Sequence, residues 1–248
     1  MAGTDPPNLT SLSLTHALYD PTDPISHISA YLALTPQFFV CIYVTLIWAT
    51  REVEVLLMFA GQMACEALNF VAKRLLKGVR PTEHIGKGYG MPSSHAQFAA
   101  YFCLHLTLFL VLRHQTSQQT STSHRPTSKI ERLALSILVS FVAFLVATSR
   151  IYLNYHTPLQ VWTGFGIGLA FAVLWFGFTT YLRSNGWVDW ALDTKLARLF
   201  RMRDLLLTED LQDAGWGRWE ERRKAGKRDA GSVPAKAIGT KKEGKKTR

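Results

Sequence analysis

The sequence predicts an all-α fold, a polytopic membrane helix bundle of about five spans with its active site at one membrane face. Three observations carry this. The chain is 48% hydrophobic and 19% charged, and its apolar residues fall in consecutive blocks rather than amphipathic stripes. The blocks approach the roughly 17–25 residues that a bilayer-crossing helix needs. Short stretches rich in cations, serine and histidine stand at the block ends.

Taken in order, residues 1–30 are polar and proline-bearing and read as largely irregular, with Ile25, Ile28, Tyr31 and Leu32 set for a short interfacial turn. A first span is expected at roughly 33–50, closed by the tight connection Arg51-Glu52. A second, at 53–76, carries Glu54, Gln62, Glu66, Asn69 and Lys73. A third is expected at 95–112, followed by a Ser/Thr/Gln-rich loop over 113–129. The fourth falls at 133–148 and the fifth at 159–182. Trp187 and Trp190 suit the headgroup level. Residues 189–207 read as an amphipathic interfacial helix. From Gly215 onward the charged, Gly/Ala-rich tail reads as disordered.

The net charge of +10 sits mainly in that tail. Behind a run of membrane helices it suits anionic headgroups better than nucleic acid, and no nucleic-acid partner is expected. Cys41, Cys65 and Cys103 lie within apolar blocks and behave there as small hydrophobes, which argues against a disulfide framework. No cleavable leader is expected, because the start carries Asp5 and prolines instead of a basic stretch and an apolar core.

Five spans put the termini on opposite sides. Arg113, Arg125, Lys129 and Arg132 share a side with the basic tail, and the positive-inside rule assigns that side to the cytosol. The expected division is then a lumenal segment 1–30, a membrane domain 31–186, and a cytosolic interfacial helix with a basic tail over 187–248. The three polar stretches fall together on the far, lumenal face.

The first stretch runs from Lys73 to Arg80-Pro81, with Gly78 and Pro81 marking the helix exit. Lys73 rides inward on the helix while the loop returns Arg80 over it; Arg supplies bidentate and Lys point-charge contact to phosphate. Arg74 and Lys77 read as ordinary boundary cations. Glu66, Asn69 and Lys73 share a helix face. An intramembrane carboxylate is a functional suspect, and the plainer role for Glu66 is to pair with a basic side chain and orient Lys73. The second stretch, Pro92-Ser93-Ser94-His95, follows Gly86, Gly88 and Gly90 and opens the third span. Such a helix start presents N–H groups to an anion, and His95 is placed to protonate a leaving oxygen.

The third stretch closes the fourth span with Ser149-Arg150 and reaches His156-Thr157-Pro158, where Thr157 suits an N-cap and Pro158 the first helical position. His156 at that mouth is placed to attack phosphorus, giving a phosphohistidine. Gln160, one turn on, is set to hold its tautomer. His105 reads as packing and His84 as loop polarity.

These stretches, in this order and spacing, resemble the three-part signature of the type 2 phosphatidate phosphatase superfamily, which also contains glucose-6-phosphatase and vanadium haloperoxidases. Within it, Tyr89-Gly90-Met91-Pro92-Ser93-Ser94-His95 and Ser149-Arg150-Ile151-Tyr152-Leu153-Asn154-Tyr155-His156-Thr157 look like the dolichyl-diphosphatase branch of the endoplasmic reticulum. Glu66, Asn69 and Leu14-Thr15-His16 look like it too, and the resemblance covers roughly 14–182. Ser94 stands where the superfamily usually has glycine, and Gln160 where it has a carboxylate; both are read as branch features.

The resemblance implies that Lys73, Arg80 and Arg150 hold the phosphate and that Ser93, Ser94 and nearby N–H groups stabilise the transition state. It implies that His156 attacks the terminal phosphorus of dolichyl diphosphate, while His95 protonates departing dolichyl phosphate and then activates water. The lipid carrier of protein N-glycosylation would be recycled, with no cofactor or metal, and with membrane lipids as the other partners. A broader lipid phosphatase, and a non-catalytic lipid-binding membrane protein, stand as the alternatives. The ending Lys245-Lys246-Thr247-Arg248 resembles a dilysine retrieval signal, and Asn8-Leu9-Thr10 is a glycosylation sequon. A lateral opening between spans is expected for the polyprenyl chain, and spans three and five sealed against lipid would count against it.

Overall fold

The computed structural model describes residues 9–12, 17–81, 88–114, 127–211, 213 and 215–231. Asn8, Leu14-Thr15-His16, His84, Gly86, Arg125 and the ending 245–248 lie outside them.

Five candidate spans are present: Pro24–Thr50, Val53–Leu76, Ser94–Arg113, Lys129–Tyr152 and Pro158–Ser184. The first begins earlier than expected, because Pro24 opens a helix α1 (Pro24–Leu32) whose start is capped by the Asp23 carboxylate, which accepts from the N–H groups of Ile25 and Ser26. A turn at Ala33 and Leu34 leads into α2 (Thr35–Thr50). Residues 1–30 are not irregular throughout either. Strands β1 (Thr10–Leu12) and β2 (Ala17–Tyr19) pair antiparallel, so a small hairpin accompanies the helices.

Helix α3 (Val53–Leu76) has the expected bounds and ends where Lys77 turns left-handed at φ 46°. Helix α4 (Ser94–Leu108) runs on through a π-helical turn, Phe109–Arg113. Helices α5 (Lys129–Tyr152) and α6 (Pro158–Ser184) both open on complete capping boxes, Ser128 with Glu131 and Thr157 with Gln160. That chemistry sets their starts at the residues after the serine and threonine.

Helix α4 is the centre of the bundle, and Ala96, Phe98, Ala99, Ala100, Tyr101 and Cys103 along it are buried. It meets α6 along Gly164, Gly168 and Ala172. A Cβ at Gly164 would stand 2.6 Å from the Ser93 carbonyl oxygen, and one at Gly168 2.3 Å from that of Gln97. Small residues at four-residue spacing let two membrane helices approach to backbone contact. By contrast, α2 buries only Tyr43 and leans on α4 through Phe39, whose ring lies 4.0 Å from Phe102.

At the end away from the polar stretches, buried charges are paired. The fully enclosed Glu54 carboxylate accepts from Arg113 at 2.7 Å and from Arg183, which also binds Asp204. Glu52 binds Arg203 at 2.7 Å and accepts from the N–H groups of Leu205 and Leu206. His114 reaches Asp210 at 2.9 Å. These bonds lay residues 203–210 across the ends of α3, α4 and α6.

Two expectations for the C-terminal part are corrected. Residues 189–207 do not form one helix. The chain makes α7 (Trp187–Leu192) and α8 (Lys195–Leu199), broken where Thr194 caps α8 and ended where Arg201 turns left-handed at φ 54°. Helix α9 (Trp216–Gly231) occupies a part of the tail read as disordered. A Glu220–Lys224 pair one turn apart and the contact of Trp216 with Trp219 at 4.7 Å support it. Cys41, Cys65 and Cys103 are free thiols.

Candidate active site

The three polar stretches meet at one end of the bundle. The His156 Nδ1 lies 2.7 Å from the Gly90 carbonyl oxygen and 3.4 Å from Gln160 Oε1. Both partners accept, so Nδ1 carries the proton and Nε2 keeps its lone pair. Gln160 was expected to hold this tautomer; the closer partner is Gly90 on the preceding stretch. His156 is 4% exposed. Burial first, then the charge of Arg80 and smaller effects of Arg150 and Lys73, push its imidazole down to about 4, against the opposing Gly90 bond. At neutral pH it is an uncharged imidazole ringed by cations.

Those cations are held from three sides. Lys73 stands in the last turn of α3. Arg80 donates to the carbonyls of Gly88 at 3.1 Å and Tyr155 at 3.2 Å, which folds its loop over the site. Arg150, 3% exposed, ends α5 with its guanidinium 4.4 Å from the Tyr155 ring. Among the described residues its Nε and Nη1 have no hydrogen-bond partner, and neither has the buried Ser93 Oγ. Buried donors left in this state cost about 1–3 kcal/mol each, and an anion placed among them would offset that cost.

Ser93 is the N-cap of α4, and no side chain caps that helix start. The first-turn N–H groups of Ser94 and its neighbours are therefore unclaimed by a cap and favour an anion. The start of α6, in contrast, is satisfied by its own capping box. His95 Nε2 donates to the Ala33 carbonyl at 3.0 Å, which leaves Nδ1 to exchange a proton.

The supporting residues divide. Gln160 donates to the Val79 carbonyl at 2.6 Å and accepts from the Thr157 N–H at 3.2 Å, so it joins the first stretch to the third. Asn69 donates to Gln97 Oε1 at 2.8 Å, and Gln97 donates to the Cys65 carbonyl at 2.8 Å; this ties α3 to α4. Among the described residues Glu66 has no ion pair with Lys73. Seven helical residues separate them by ~10 Å along the axis. Glu66 lines a groove of about 490 Å³ instead, with Ser94, His95, Met63, Val40 and Phe98. His105 is packed as expected, stacked on Tyr101 at 5.3 Å.

That groove runs between α2, α3 and α4. The glycine contacts close α4 onto α6, which counts against the expected lateral opening. Sequence reasoning missed Gln97, Tyr155 and Ala33. Gln97 had a signal, an amide four residues after Ser93 within an apolar span. Ala33 had none, because its contribution is a backbone carbonyl.

A profile of the PAP2 superfamily matches residues 51–184. A Neurospora crassa protein provisionally named a dolichyldiphosphatase is 44% identical over 88% of this chain and 94% of its own length. The Saccharomyces cerevisiae dolichyldiphosphatase is 32% identical over 87% of this chain and 92% of its own. A crystal structure of a transmembrane PAP2-type phosphatidylglycerolphosphate phosphatase from Bacillus subtilis aligns with a TM-score of 0.48 and 27% identity, over 64% of this chain and 74% of that one.

Proposed function

The chain belongs to the PAP2 superfamily, and from that premise we propose that it hydrolyses dolichyl diphosphate to dolichyl phosphate and inorganic phosphate. It is a multi-pass membrane hydrolase. The observation that carries the mechanism is the bond from His156 Nδ1 to Gly90, which leaves Nε2 as the nucleophile beside unpartnered donors of Arg150 and Ser93.

In this reading His156 Nε2 attacks the terminal phosphorus as the phosphoanhydride bond to dolichyl phosphate breaks. His95, protonated at Nδ1, gives that proton to the departing oxygen. Lys73, Arg80 and Arg150 offset the negative charge of the transferring phosphoryl group, and Ser93, Ser94 and the α4 N–H groups stabilise its oxygens. Neutral His95 then takes a proton from water, whose oxygen attacks phosphorus and releases His156 and inorganic phosphate. Glu66 and Asn69 act in support.

We place the protein in the endoplasmic reticulum membrane, with the site and residues 1–30 lumenal and residues 187–248 cytosolic. Arg113, Lys129 and Arg132 at the opposite ends of the spans support that orientation. There the reaction returns the lipid carrier used in protein N-glycosylation. The test is phosphate release by the purified chain in detergent from dolichyl diphosphate and from phosphatidate, beside His156→Ala. Release from dolichyl diphosphate that His156→Ala abolishes is expected; preference for phosphatidate overturns the substrate, and equal release by both proteins overturns the mechanism.

A further inference from the structure

A second cavity lies on the far side of α2 from the reaction groove. It measures about 520 Å³ and is lined by Ile42, Leu46, Met58, Leu106, Leu110 and Leu135, from α2, α3, α4 and α5. His114 and Asp210 stand at its end, bonded to each other at 2.9 Å. A smaller apolar cavity of about 150 Å³ lies between α2, α4 and α5, nearer Thr35. Phe39 and Phe102 line both of these cavities.

Aromatic rings stand between the groove that holds His95 and this pair. Phe98 lines the groove, and its ring centroid lies 6.4 Å from that of Phe39, which lies 4.0 Å from Phe102. The three rings separate one apolar space at the reacting end from another that continues toward the opposite face. They are one attachment of α2, the span that buries least of itself; Tyr43, packed against Phe59 of α3, is another.

We propose that the larger cavity, between α2, α3, α4 and α5, seats the distal isoprene units of the substrate's polyprenyl chain, which enters from the His95 groove past Phe39, Phe98 and Phe102. From His95 to Leu110 the path covers ~22 Å along α4. A long polyprenyl chain spans this distance and a three-unit chain does not. The lining offers such a chain apolar contact up to the His114–Asp210 end, and binding energy gained there raises catalytic efficiency only for chains that reach it. The inference rests on the proposed polyprenyl diphosphate reaction.

Ile42 and Leu135 are 49% and 43% exposed, so a larger side chain at either fills the cavity with little demand on the core. Purified Ile42→Trp and Leu135→Trp proteins are assayed on long-chain dolichyl diphosphate and on farnesyl diphosphate. The expected result is a fall of at least fivefold in kcat/KM for the long chain, with farnesyl diphosphate within twofold of the unsubstituted protein. Equal falls on both substrates, or no change on either, overturn the proposal. Hydrolysis of neither substrate by the unsubstituted protein overturns the reaction itself, which is a distinguishable result. A polyprenyl diphosphate carrying a diazirine on its terminal isoprene is expected to label peptides of 106–114 and 206–211. Label confined to 36–41 and 63–66 overturns the seat. A phosphatidylcholine acyl-chain diazirine that labels 106–114 equally in the presence of substrate assigns the cavity to bulk lipid and also overturns it.

Discussion

Gln160 carries its side-chain nitrogen to within 2.6 Å of the Val79 carbonyl oxygen, across 81 residues of sequence. The same side chain accepts from the Thr157 N–H and stands 3.4 Å from His156 Nδ1. One amide thus closes the capping box of α6, anchors the Arg80 loop and borders the His156 imidazole.

Gln160→Glu tests these roles with a known sign. A carboxylate cannot donate to Val79, and about 1–3 kcal/mol of lost support predicts a roughly 10–100-fold fall in kcat/KM. The depressed titration of His156, near 4, keeps it neutral and reactive at higher pH and makes it lose activity as pH falls through that value. A carboxylate beside Nδ1 favours the charged form and moves this acid limb to higher pH. The substrate's own titration is common to both proteins, so the displacement between their kcat/KM–pH profiles reads His156. An unmoved limb contradicts the assignment.

Tyr155 separates ring from hydroxyl. Its ring lies under Arg150 at 4.4 Å, and its hydroxyl accepts from the Leu18 N–H at 2.8 Å. Tyr155→Phe is expected to keep activity within about threefold, because a net hydrogen bond contributes only about 0.5–1.5 kcal/mol, and to loosen the hairpin, seen as faster proteolysis near residues 17–19. Tyr155→Leu is expected to lower kcat by tenfold or more as Arg150 loses its support.

The α4–α6 contact predicts a contrast between glycines. Gly164→Ala and Gly168→Ala drive a methyl into the Ser93 and Gln97 backbone, whereas a Cβ at Gly166 meets nothing within 4 Å. Overpacking of this kind costs about 1–3 kcal/mol. Gly164→Ala is expected to cut kcat strongly because Ser93 moves, Gly168→Ala to lower the Tm in detergent, and Gly166→Ala to change neither.

At the opposite face, Glu54→Gln leaves Arg113 and Arg183 short of a buried counter-charge. Breaking such a pair costs about 3–5 kcal/mol, so the Tm in detergent drops. Activity per folded molecule is expected to stay within about twofold, because the network lies far from His156.

The legibility of this architecture in sequence follows its physics. Apolar length and capping chemistry are local, so the bounds of α3 and the capped start of α6 at Thr157-Pro158 were readable. The three stretches declared themselves in combination, because cations, serines and histidines recur at successive span ends in one order and spacing. What stayed hidden is made of backbone. The Ala33 carbonyl on His95 and the Gly90 carbonyl on His156 are contributions that any residue type could make. The expectation that Glu66 pairs with a basic side chain and orients Lys73 rested on a shared helix face, which does not convey that two turns lie between them. The break at Thr194 and the helix at Trp216–Gly231 depended on a side-chain cap and on local pairs within a segment judged by composition.

The central claim is that His156 carries the phosphoryl group. The most direct measurement is rapid-quench labelling of the purified protein with dolichyl diphosphate bearing a radiolabelled terminal phosphate. The account predicts an acid-labile, base-stable adduct within the catalytic cycle time, mapped to His156 and absent from His156→Ala. Full turnover by the unsubstituted protein with no adduct, or an adduct on another residue, would contradict it.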